Sequence, residues 1–462
     1  MSKQDKKELR QQVACEWLEQ NYLRYGHLRH DIVTDRLQIR MPNLESSGVQ
    51  EFRSSGVTSE HLNSKASEPL NVSSADLYWR NLTDKDINTM VCTCVAETQV
   101  NISVGEMWTA LKSDMVPAVH PIRAWLDALH PYTHNQPDWI DFVASQVRVV
   151  DNASGSGVTS ELLNSKASEL PNISSADALW RGCFKKWFVA MVASWMKDEV
   201  VNHTVLVLVG RQGIFKTTWL ERLIPPHLRD YCCKLANATQ LSKDDRLRIA
   251  EFGLINMDEL DAMTPRELSA MKSVITASDV NERAAYGYTK ERRVRLASFC
   301  ASSNKREFLT DMTGNRRWLP FEVESIQNPF YTTQPYDLMY AEALYLIEND
   351  FNYWFDMEEI DTLEEHNEAF RAQDSEEQLL PILFDIPAEG KGEFMTTAQI
   401  SERLVNYGNI KKPMSVSQLG MLLGKAGYRA VSRRINGTKA RGWIVYQRDT
   451  NEIDSLKRLL KE

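Results

Sequence analysis

The chain has 462 residues, 43% of them hydrophobic and 25% charged, with a formal net charge of −9. The composition excludes a disordered chain, the length allows about three domains of ~150 residues, and the negative charge excludes a protein that coats nucleic acid with its whole surface. No apolar run approaches the ~20 residues that span a bilayer and no secretory signal is visible, so we expect a cytoplasmic protein with no membrane partner.

Residues 1–183 are predicted to form a mainly helical N-terminal domain. An apolar stripe indicates a helix over residues 5–25, and residues 82–143 are predominantly helical. Residues 30–41 alternate between apolar and polar side chains like a pair of strands around Asp35.

Two serine-rich segments, residues 45–75 and 152–177, interrupt this domain and share an internal repeat. Residues 55–80 recur as residues 156–181, with twenty of 26 positions identical. Solenoid repeats follow one another directly, because each unit buries a face on the next, whereas these copies are separated and thinly hydrophobic. We interpret them as two copies of one inserted loop, and a paired partner-binding motif is the alternative. The tail of each copy re-enters structure, where its tryptophan is expected to be a core residue (Trp79 and Trp180).

Residues 204–218 (TVLVLVGRQGIFKTT) have the layout of a phosphate-binding P-loop, in which a strand, a glycine turn, a lysine, a hydroxyl and a helix follow one another. Backbone N–H groups at the start of the helix would bind the β-phosphate, and the helix dipole would favour its charge. Lys216 would reach the β- and γ-phosphates of ATP, and the Thr217 hydroxyl would bind Mg²⁺. The predicted nucleotide contacts are Gly210, Gly213, Phe215, Lys216, Thr217 and Thr218.

Phe215 stands where this motif has its last glycine. On its own, a bulky residue there indicates a weakened site, because the backbone must approach phosphate closely. We expect Phe215 to take right-handed helical φ and ψ angles. Its ring is expected to turn outward, against the base, the ribose or a neighbouring subunit.

A largely apolar strand over residues 252–259, interrupted by Asn256, ends in two acids. Asp258 would hold Mg²⁺ and Glu259 would polarise the attacking water, as in a Walker B motif. A strand capped by solvent-facing acids is the alternative, and its position about 40 residues after the P-loop lysine disfavours it.

Two later motifs complete the predicted catalytic set of Lys216 and Glu259. A strand of small residues ends at Asn304, whose amide would orient the water near the γ-phosphate. Arg316 and Arg317 follow a Thr-Gly turn and suit an arginine finger, which stabilises charge on the transferring phosphoryl group. A structural salt bridge is the alternative role for either arginine.

The motifs VLVLVGRQGIFKTT, LINMDELDAM, MKSVITASDVNERAAYGY, FCASSN and DMTGNRRWLPF occur in this order. Together they resemble the virulence-associated E family, P-loop ATPases related to superfamily 3 helicases, most strongly over residues 184–325. The resemblance implies an α/β fold of the ASCE or AAA+-like type with a parallel sheet, over residues 184–345. It also implies an oligomeric ring, a hexamer, whose arginines reach the neighbouring subunit's nucleotide, and a role in replicating phage or mobile-element DNA.

In related helicases, a hairpin between the Walker B strand and the next strand points into the channel of the ring. The corresponding stretch here is residues 286–293, with Lys290 and Arg293 as candidate contacts to single-stranded DNA.

The C-terminal part resembles a small winged-helix domain. Thr396 and Ser415 each open a predicted helix as a capping box, and an Asn-Gly turn predicts a hairpin over residues 429–447. The predicted divisions are an acidic helical segment with a linker (346–389), the winged-helix-like domain (390–448) and a C-terminal tail (449–462).

The basic side chains of this hairpin would bind the phosphates of duplex DNA. They are Arg433, Arg434, Lys439 and Arg441. The alternative is a solvated basic surface that docks on the acidic segment of the same chain.

These observations lead to three hypotheses of function. The first is an ATP-hydrolysing DNA motor or replication initiator that requires ATP and Mg²⁺. The second is a nucleotide-switched DNA-binding regulator that never translocates, and the third is an assembly scaffold with a degenerate ATPase site.

Overall fold

A computed structural model describes residues 2–42, 77–151, 174–235, 243–282, 291–309, 315–387, 392–435 and 438–459. The chain divides into two compact units. The large unit comprises Met1–Phe308 and Thr313–Ala369, and the small unit comprises Leu309–Met312 and Phe370–Glu462. Within the described ranges, no helix is long and apolar enough to cross a membrane.

Helices and a small sheet make up the N-terminal part of the large unit. The helices are α1 (Lys3–Leu18, continued by a π-helical turn over Glu19–Leu23), α2 (Asp84–Thr98), α3 (Val104–Leu111), α4 (Pro121–Asp127) and α5 (Trp139–Ala144). The strands are β1 (Leu28–Asp31), β2 (Arg36–Pro42), β3 (Leu77–Asn81) and β4 (Ala118–Val119), in the order β3-β2-β1-β4. The strand pair predicted around Asp35 is confirmed. This region therefore contains a four-stranded sheet in addition to the predicted helices.

A buried carboxylate attaches this small sheet to the rest of the large unit. Asp31, at the end of β1, is fully buried and accepts hydrogen bonds from the Val33 backbone N–H (2.9 Å) and the Thr34 hydroxyl (2.6 Å). The Tyr231 hydroxyl donates to it from 200 residues further along the chain, at 2.7 Å. Because a buried carboxylate without partners is costly, these contacts fix the turn between β1 and β2 (residues 32–35, the N-terminal turn) against the central sheet.

Eight strands belong to the rest of the large unit. They are β5 (Val147–Val149), β6 (Val205–Val209), β7 (Cys232–Leu235), β8 (Leu254–Met257), β9 (Asp279–Glu282), β10 (Glu291–Val294), β11 (Ser298–Ser303) and β12 (Trp318–Ile326). Six of them form the central sheet in the order β5-β12-β6-β11-β8-β7, and β9 pairs with β10 in a separate ribbon. The five strands from β12 to β7 are parallel, and β5 is antiparallel to β12. The predicted α/β architecture with a parallel sheet is confirmed at this level.

Burial on both faces explains the composition of the central sheet. All five residues of β6 (VLVLV) are buried, as expected for a parallel strand covered on both sides. The helices around this sheet are α6 (Ser175–Met196), α7 (Lys216–Glu221), α8 (Lys243–Glu251), α9 (Pro265–Thr276), α10 (Tyr336–Glu348) and α11 (Met357–Glu368). Helix α6 supplies most of the aromatic core, including Trp180, Phe184 and Trp187, none of which reaches solvent.

The tails of the two repeat copies adopt different secondary structures. In the first copy the tail forms strand β3, and Trp79 lies half-buried under the Arg29 guanidinium, 4.2 Å from the ring centre. In the second copy the tail begins helix α6, and Trp180 is fully buried, donating its indole N–H to the Ala144 carbonyl at 3.0 Å. The prediction of a core tryptophan is therefore confirmed for Trp180 and wrong for Trp79. The bodies of both copies lie outside the described residues, so their interpretation as inserted loops stays a prediction.

The small unit packs helices against a four-stranded antiparallel sheet. Its elements are α12 (Ser375–Leu383), β13 (Phe384–Asp385), β14 (Glu393–Thr396), α13 (Thr397–Gly408), α14 (Val416–Lys425), β15 (Arg429–Ile435), β16 (Thr438–Gln447) and α15 (Thr450–Leu459). Both predicted capping boxes are confirmed at the starts of α13 and α14. Strand β16 pairs with β13, β14 and β15, and the register Ile435↔Thr438 confirms the predicted hairpin.

Candidate functional site

Four residues from three separate motifs meet at the carboxyl edge of the central sheet. The strands β6, β11 and β8 are parallel neighbours, so the residues that follow them meet at one edge. Lys216 Nζ lies 3.1 Å from Asn304 Oδ1, and Thr217 Oγ1 lies 2.9 Å from Asp258 Oδ1. An ammonium group, a hydroxyl, an amide and a carboxylate therefore converge on one place.

The loop between β6 and α7 depends on two glycines. A Cβ on Gly210 would lie 3.0 Å from the Val323 carbonyl oxygen, so only glycine lets β6 turn here without a shift of backbone. Gly213 is exposed and has a φ of 87°, in the left-handed region that glycine tolerates. The backbone conformation of the loop therefore explains why both predicted glycines occur in it.

Phe215 also has a left-handed backbone, with a φ of 68°. The expectation of right-handed helical angles is therefore wrong. A bulky residue in this region bears about 1–2 kcal/mol of strain, which the surrounding structure must overcome. The ring contacts Phe330, with 6.2 Å between ring centres and an interplanar angle of 78°. Thr218, the last predicted nucleotide contact, lies half-buried in the first turn of α7.

Lys216 is only 6% exposed and directs its ammonium group back over the loop. It donates hydrogen bonds to the carbonyl oxygens of Gly210 (2.6 Å) and Arg211 (2.8 Å) and to the Asn304 amide. Burial lowers the pKa of Lys216, and the nearby Asp258 and Asp261 oppose that shift. The lysine is held in the middle of the loop by oxygen acceptors.

Asp258 is the most heavily contacted acid of this edge. It accepts hydrogen bonds from Thr217 and from the Ser302 hydroxyl at 2.5 Å, and Lys234 Nζ lies 2.7 Å from its second oxygen. Burial alone would raise the pKa of Asp258, but the hydrogen bonds from Lys234, Ser302 and Thr217 outweigh burial and lower it. Asp258 is therefore held in its ionised form.

Three contributors to this edge were not found by sequence reasoning. Lys234 and Ser302 contact Asp258, and Asp261 accepts the Asn304 backbone N–H at 3.0 Å. Lys234 lies one residue before the end of β7, and β7 pairs with β8, the strand that Asp258 follows. Only the order of the strands in the sheet reveals that Lys234 lies close to Asp258. Asp261 follows the predicted acids by a few residues, so its spacing was a usable signal.

Glu259 lies beside Asp258 but is exposed, with a left-handed φ of 55°. Its side chain is thus available to a molecule bound at the edge, and the backbone N–H of Glu259 donates to Asp258 Oδ1 at 3.2 Å.

Arg316 and Arg317 lie at the opposite, amino edge of the central sheet. They directly precede β12, whose first residue Trp318 pairs with Val205, the first residue of β6. Burial and Arg295 lower the pKa of His203, which precedes β6, and Arg317 lowers it further, which places Arg317 near that edge. Strand β6 is four residue steps long, so about 13 Å separates this edge from the loop between β6 and α7. The two arginines are therefore not brought to Lys216 of the same chain.

Strands β9 and β10 pair antiparallel between β8 and β11, where the hairpin is predicted. Lys290 lies outside the described residues, so its role stays a prediction. Arg293 lies in β10, where its guanidinium is 3.6 Å from Asp35 and 3.5 Å from Glu251. Arg293 therefore packs against the N-terminal turn at the base of the hairpin.

The hairpin of the small unit displays three arginines whose side chains are described. Arg433, Arg434 and Arg441 are exposed, and within the described part of the chain none of them forms an ion pair. By register, Arg434 and Arg441 lie on one face of the hairpin, and Arg433 lies on the other, 5.4 Å from the Phe394 ring. Lys439 pairs in register with Arg434, and its side chain lies outside the described residues.

Comparisons with known proteins agree with the motifs. Residues 161–372 match the family described as Virulence-associated protein E-like domain, so the predicted resemblance is confirmed. No curated protein matches the chain.

Solved structures of the NrS-1 C-terminal region are similar over most of the chain. The apo structure of residues 305–718 of that protein has 11% identity and a TM-score of 0.42, covering 91% of this chain and 96% of that one. Two A-form apo structures of the same region have 10% and 11% identity and TM-scores of 0.39 and 0.40, with the same coverage.

Proposed function

We propose that the protein is an ATPase of the P-loop class that couples hydrolysis to DNA, as a motor or replication initiator of a phage or mobile element. The observation that carries the proposal is the meeting of Lys216, Thr217, Asp258 and Asn304 at the carboxyl edge of parallel strands. A magnesium-bound triphosphate is the ligand that uses an ammonium group, a hydroxyl and a carboxylate together.

Each side chain has a definite task in this proposal. A triphosphate on the loop would exchange the carbonyl acceptors of Lys216 for charged phosphate oxygens, which bind an ammonium group more strongly. Glu259, exposed beside Asp258, would polarise the attacking water. Asn304, held by Asp261, would orient that water.

Magnesium fits this edge as a companion of the nucleotide. Within the described residues, no group of three His, Cys, Asp or Glu side chains could hold a metal ion. Thr217 and Asp258 offer two oxygens, and the remaining ligands of an octahedral ion would come from phosphate and water. When bound there, magnesium neutralises charge that develops on the phosphates.

The position of Arg316 and Arg317 supports an oligomeric ring. An arginine finger must touch the transferring phosphate, and these arginines lie at the other edge of their own sheet. They would serve the site of a neighbouring copy, in a head-to-tail ring such as a hexamer.

DNA binding is proposed for two regions. The small unit, with helices α13 and α14 followed by the basic hairpin, supports a winged-helix module that binds duplex phosphates through Arg433, Arg434 and Arg441. The hairpin of β9 and β10 would carry Lys290 toward single-stranded DNA. The replication role comes from the family resemblance.

The test of the proposal is ATP turnover with and without single-stranded DNA, wild type beside Lys216→Ala. We expect DNA to stimulate the wild type and Lys216→Ala to lose at least ~100-fold in turnover. Lys85→Ala, an exposed lysine on α2, is the control and should behave as wild type. Wild-type protein that does not bind ATP would make the chain a scaffold instead.

Duplex binding has its own test in the full chain. Replacing Arg433, Arg434 and Arg441 together by alanine should lower the slope of log affinity against log salt concentration by about 3, because each lost phosphate contact releases about one counterion fewer. An unchanged slope would contradict the winged-helix assignment.

A second candidate function is favoured by Phe215. Its strained backbone stands where the motif has a glycine and the chain must approach phosphate closely, so binding without rapid turnover is a coherent outcome. A nucleotide-switched DNA regulator would show ATP-dependent DNA affinity without strand displacement.

A further inference from the structure

We infer that Phe215 and Phe330 form a stacking surface for the nucleotide base, so that the site accepts purine nucleoside triphosphates with little discrimination between adenine and guanine. This inference rests on the proposed function, because it concerns the base of a nucleotide whose phosphates bind at Lys216.

The side chains of the loop point in two different directions. Ile214 packs against the core of the large unit, and its Cδ1 lies 3.1 Å from the position of a Cβ on Gly210. Phe215, the next residue, is not among the side chains packed on that core, and its ring contacts Phe330. The loop therefore turns one apolar side chain inward and presents an aromatic ring beside Lys216.

The segment that carries Phe330 is held in place by hydrogen bonds. The Phe330 backbone N–H donates to Asn328 Oδ1 at 3.0 Å, and the Tyr331 N–H donates to the Asn328 carbonyl at 3.1 Å. Arg222, at the end of the helix that begins with Lys216, donates to the Thr332 carbonyl at 3.1 Å. Phe330 is thus positioned by the same helix that follows the phosphate loop.

The exposed Phe330 leaves an aromatic face of this pair open to a flat apolar group of a ligand. Phe330 is 72% exposed although its ring is held next to Phe215, and Phe215 keeps a strained backbone at the same point. A base is the flat group that a nucleotide brings beside its own phosphates. Stacking on phenylalanine tolerates any base because every base has a π-face, and purines offer the larger face. Neither phenylalanine ring has a hydrogen-bonding group that could distinguish adenine from guanine.

The test measures the affinity of the full-length protein for Mg–ATP, Mg–GTP and Mg–tripolyphosphate by calorimetry. The wild type should bind ATP and GTP within about threefold of each other. Phe330→Ala should weaken both by about tenfold and leave tripolyphosphate affinity unchanged, because only the base loses a contact. Phe330→Trp should restore ATP affinity. Tyr331→Ala is the matched control: Tyr331 is 89% exposed and has no ring contact among the described residues, so all three affinities should be unchanged.

The possible failures are distinguishable. Unchanged ATP affinity in Phe330→Ala, with wild-type binding intact, overturns the stacking surface and leaves the ATPase proposal standing. An equal loss for tripolyphosphate would mean that the variant damages the loop, and it also overturns the inference. If Phe330→Ala changes only the sedimentation of the oligomer, the pair contacts a neighbouring subunit instead. Wild-type protein that binds neither ATP nor tripolyphosphate overturns this inference and the proposed function together.

Discussion

The two edges of the central sheet hold the basic residues of the proposed catalytic set in opposite ways. At the carboxyl edge, Lys216 is buried, and its ammonium group is held by acceptors from its own chain. At the amino edge, Arg316 is exposed and Arg317 half-buried, and neither forms an ion pair within the described ranges. The carboxyl edge is preorganised for a ligand, whereas the amino edge presents two positive charges to another molecule.

This difference teaches that one copy of the chain holds only part of the proposed catalytic set. Parallel strands place everything that follows them at one edge and everything that precedes them at the other. A residue just before β12 can therefore join a residue just after β6 only across two copies. The predictions below test that division.

The largest effect is expected at the amino edge. Arg316→Ala or Arg317→Ala, whichever is the finger, should lower turnover by about 10³-fold, because the transferring phosphate loses its positive partner. An inactive arginine variant mixed with inactive Lys216→Ala should regain activity, since about a quarter of the sites in a random ring combine two intact edges. Turnover of the mixture, measured after subunit exchange, checks this.

The control for that mixture uses two variants of the same edge. Lys216→Ala mixed with Asp258→Asn should stay inactive, because no pairing of copies restores a complete carboxyl edge. Recovery in this control, or none in the first mixture, would contradict a site shared between copies.

At the carboxyl edge, Asp258→Asn should lower turnover by about 100-fold while ATP still binds. The amide keeps the shape of the side chain but loses the charge that Lys234, Ser302 and Thr217 stabilise. Single-turnover rates and ATP affinity together check this prediction. A variant with wild-type turnover would remove Asp258 from the magnesium role.

Between the edges, Asn256→Leu should stabilise the protein by about 1–2 kcal/mol. Asn256 is fully buried in β8, and in the described part of the chain neither of its amide atoms has a hydrogen-bond partner.

Asn202→Leu is the matched control. Asn202 is also buried but donates to the Trp187 carbonyl and accepts from Thr204, so its replacement should destabilise by a similar amount. The melting temperatures of both variants test these expectations. A melting temperature of Asn256→Leu below that of the wild type would refute the first expectation.

The smallest effect concerns Lys234. Its ammonium group lies 2.7 Å from Asp258 and is half exposed, so it competes only weakly with a metal for that carboxylate. Lys234→Ala should lower the Mg²⁺ concentration for half-maximal hydrolysis by about threefold. A rise in that concentration would instead show that Lys234 itself assists the bound triphosphate.

Local patterns predicted the parts of the site that lie within one motif. The glycine loop before Lys216, the Asp258–Glu259 strand end and the capping boxes of the small unit depend on neighbours within a few residues, and the sequence displays them directly. Lys234 and the edge on which Arg316 and Arg317 lie depend on strand order. No local pattern encodes that order, because it is settled by how distant strands pack.

The repeat tails show the same limit within nearly identical sequence. Both tails contain Ala-Asp-x-x-Trp-Arg, yet one forms β3 and the other opens α6. In the second copy, Ser174 caps the helix and apolar residues follow at helical spacing, so packing favours a helix. In the first copy, Thr83 caps a new helix three residues after Arg80, and the tail pairs with β2 instead. The Phe215 backbone is a further case, because a left-handed phenylalanine is too rare to expect.

The hydrogen bond between Asp31 and Tyr231 has a consequence for biosynthesis. The two residues are 200 positions apart, so at ~5–20 residues per second Tyr231 is made roughly 10–40 s after Asp31. During that interval the N-terminal turn has no phenol to close over its carboxylate, and water must solvate the charge. The N-terminal sheet can therefore complete its docking only after the ribosome has passed Tyr231, and a nascent chain halted before that residue would carry the turn open.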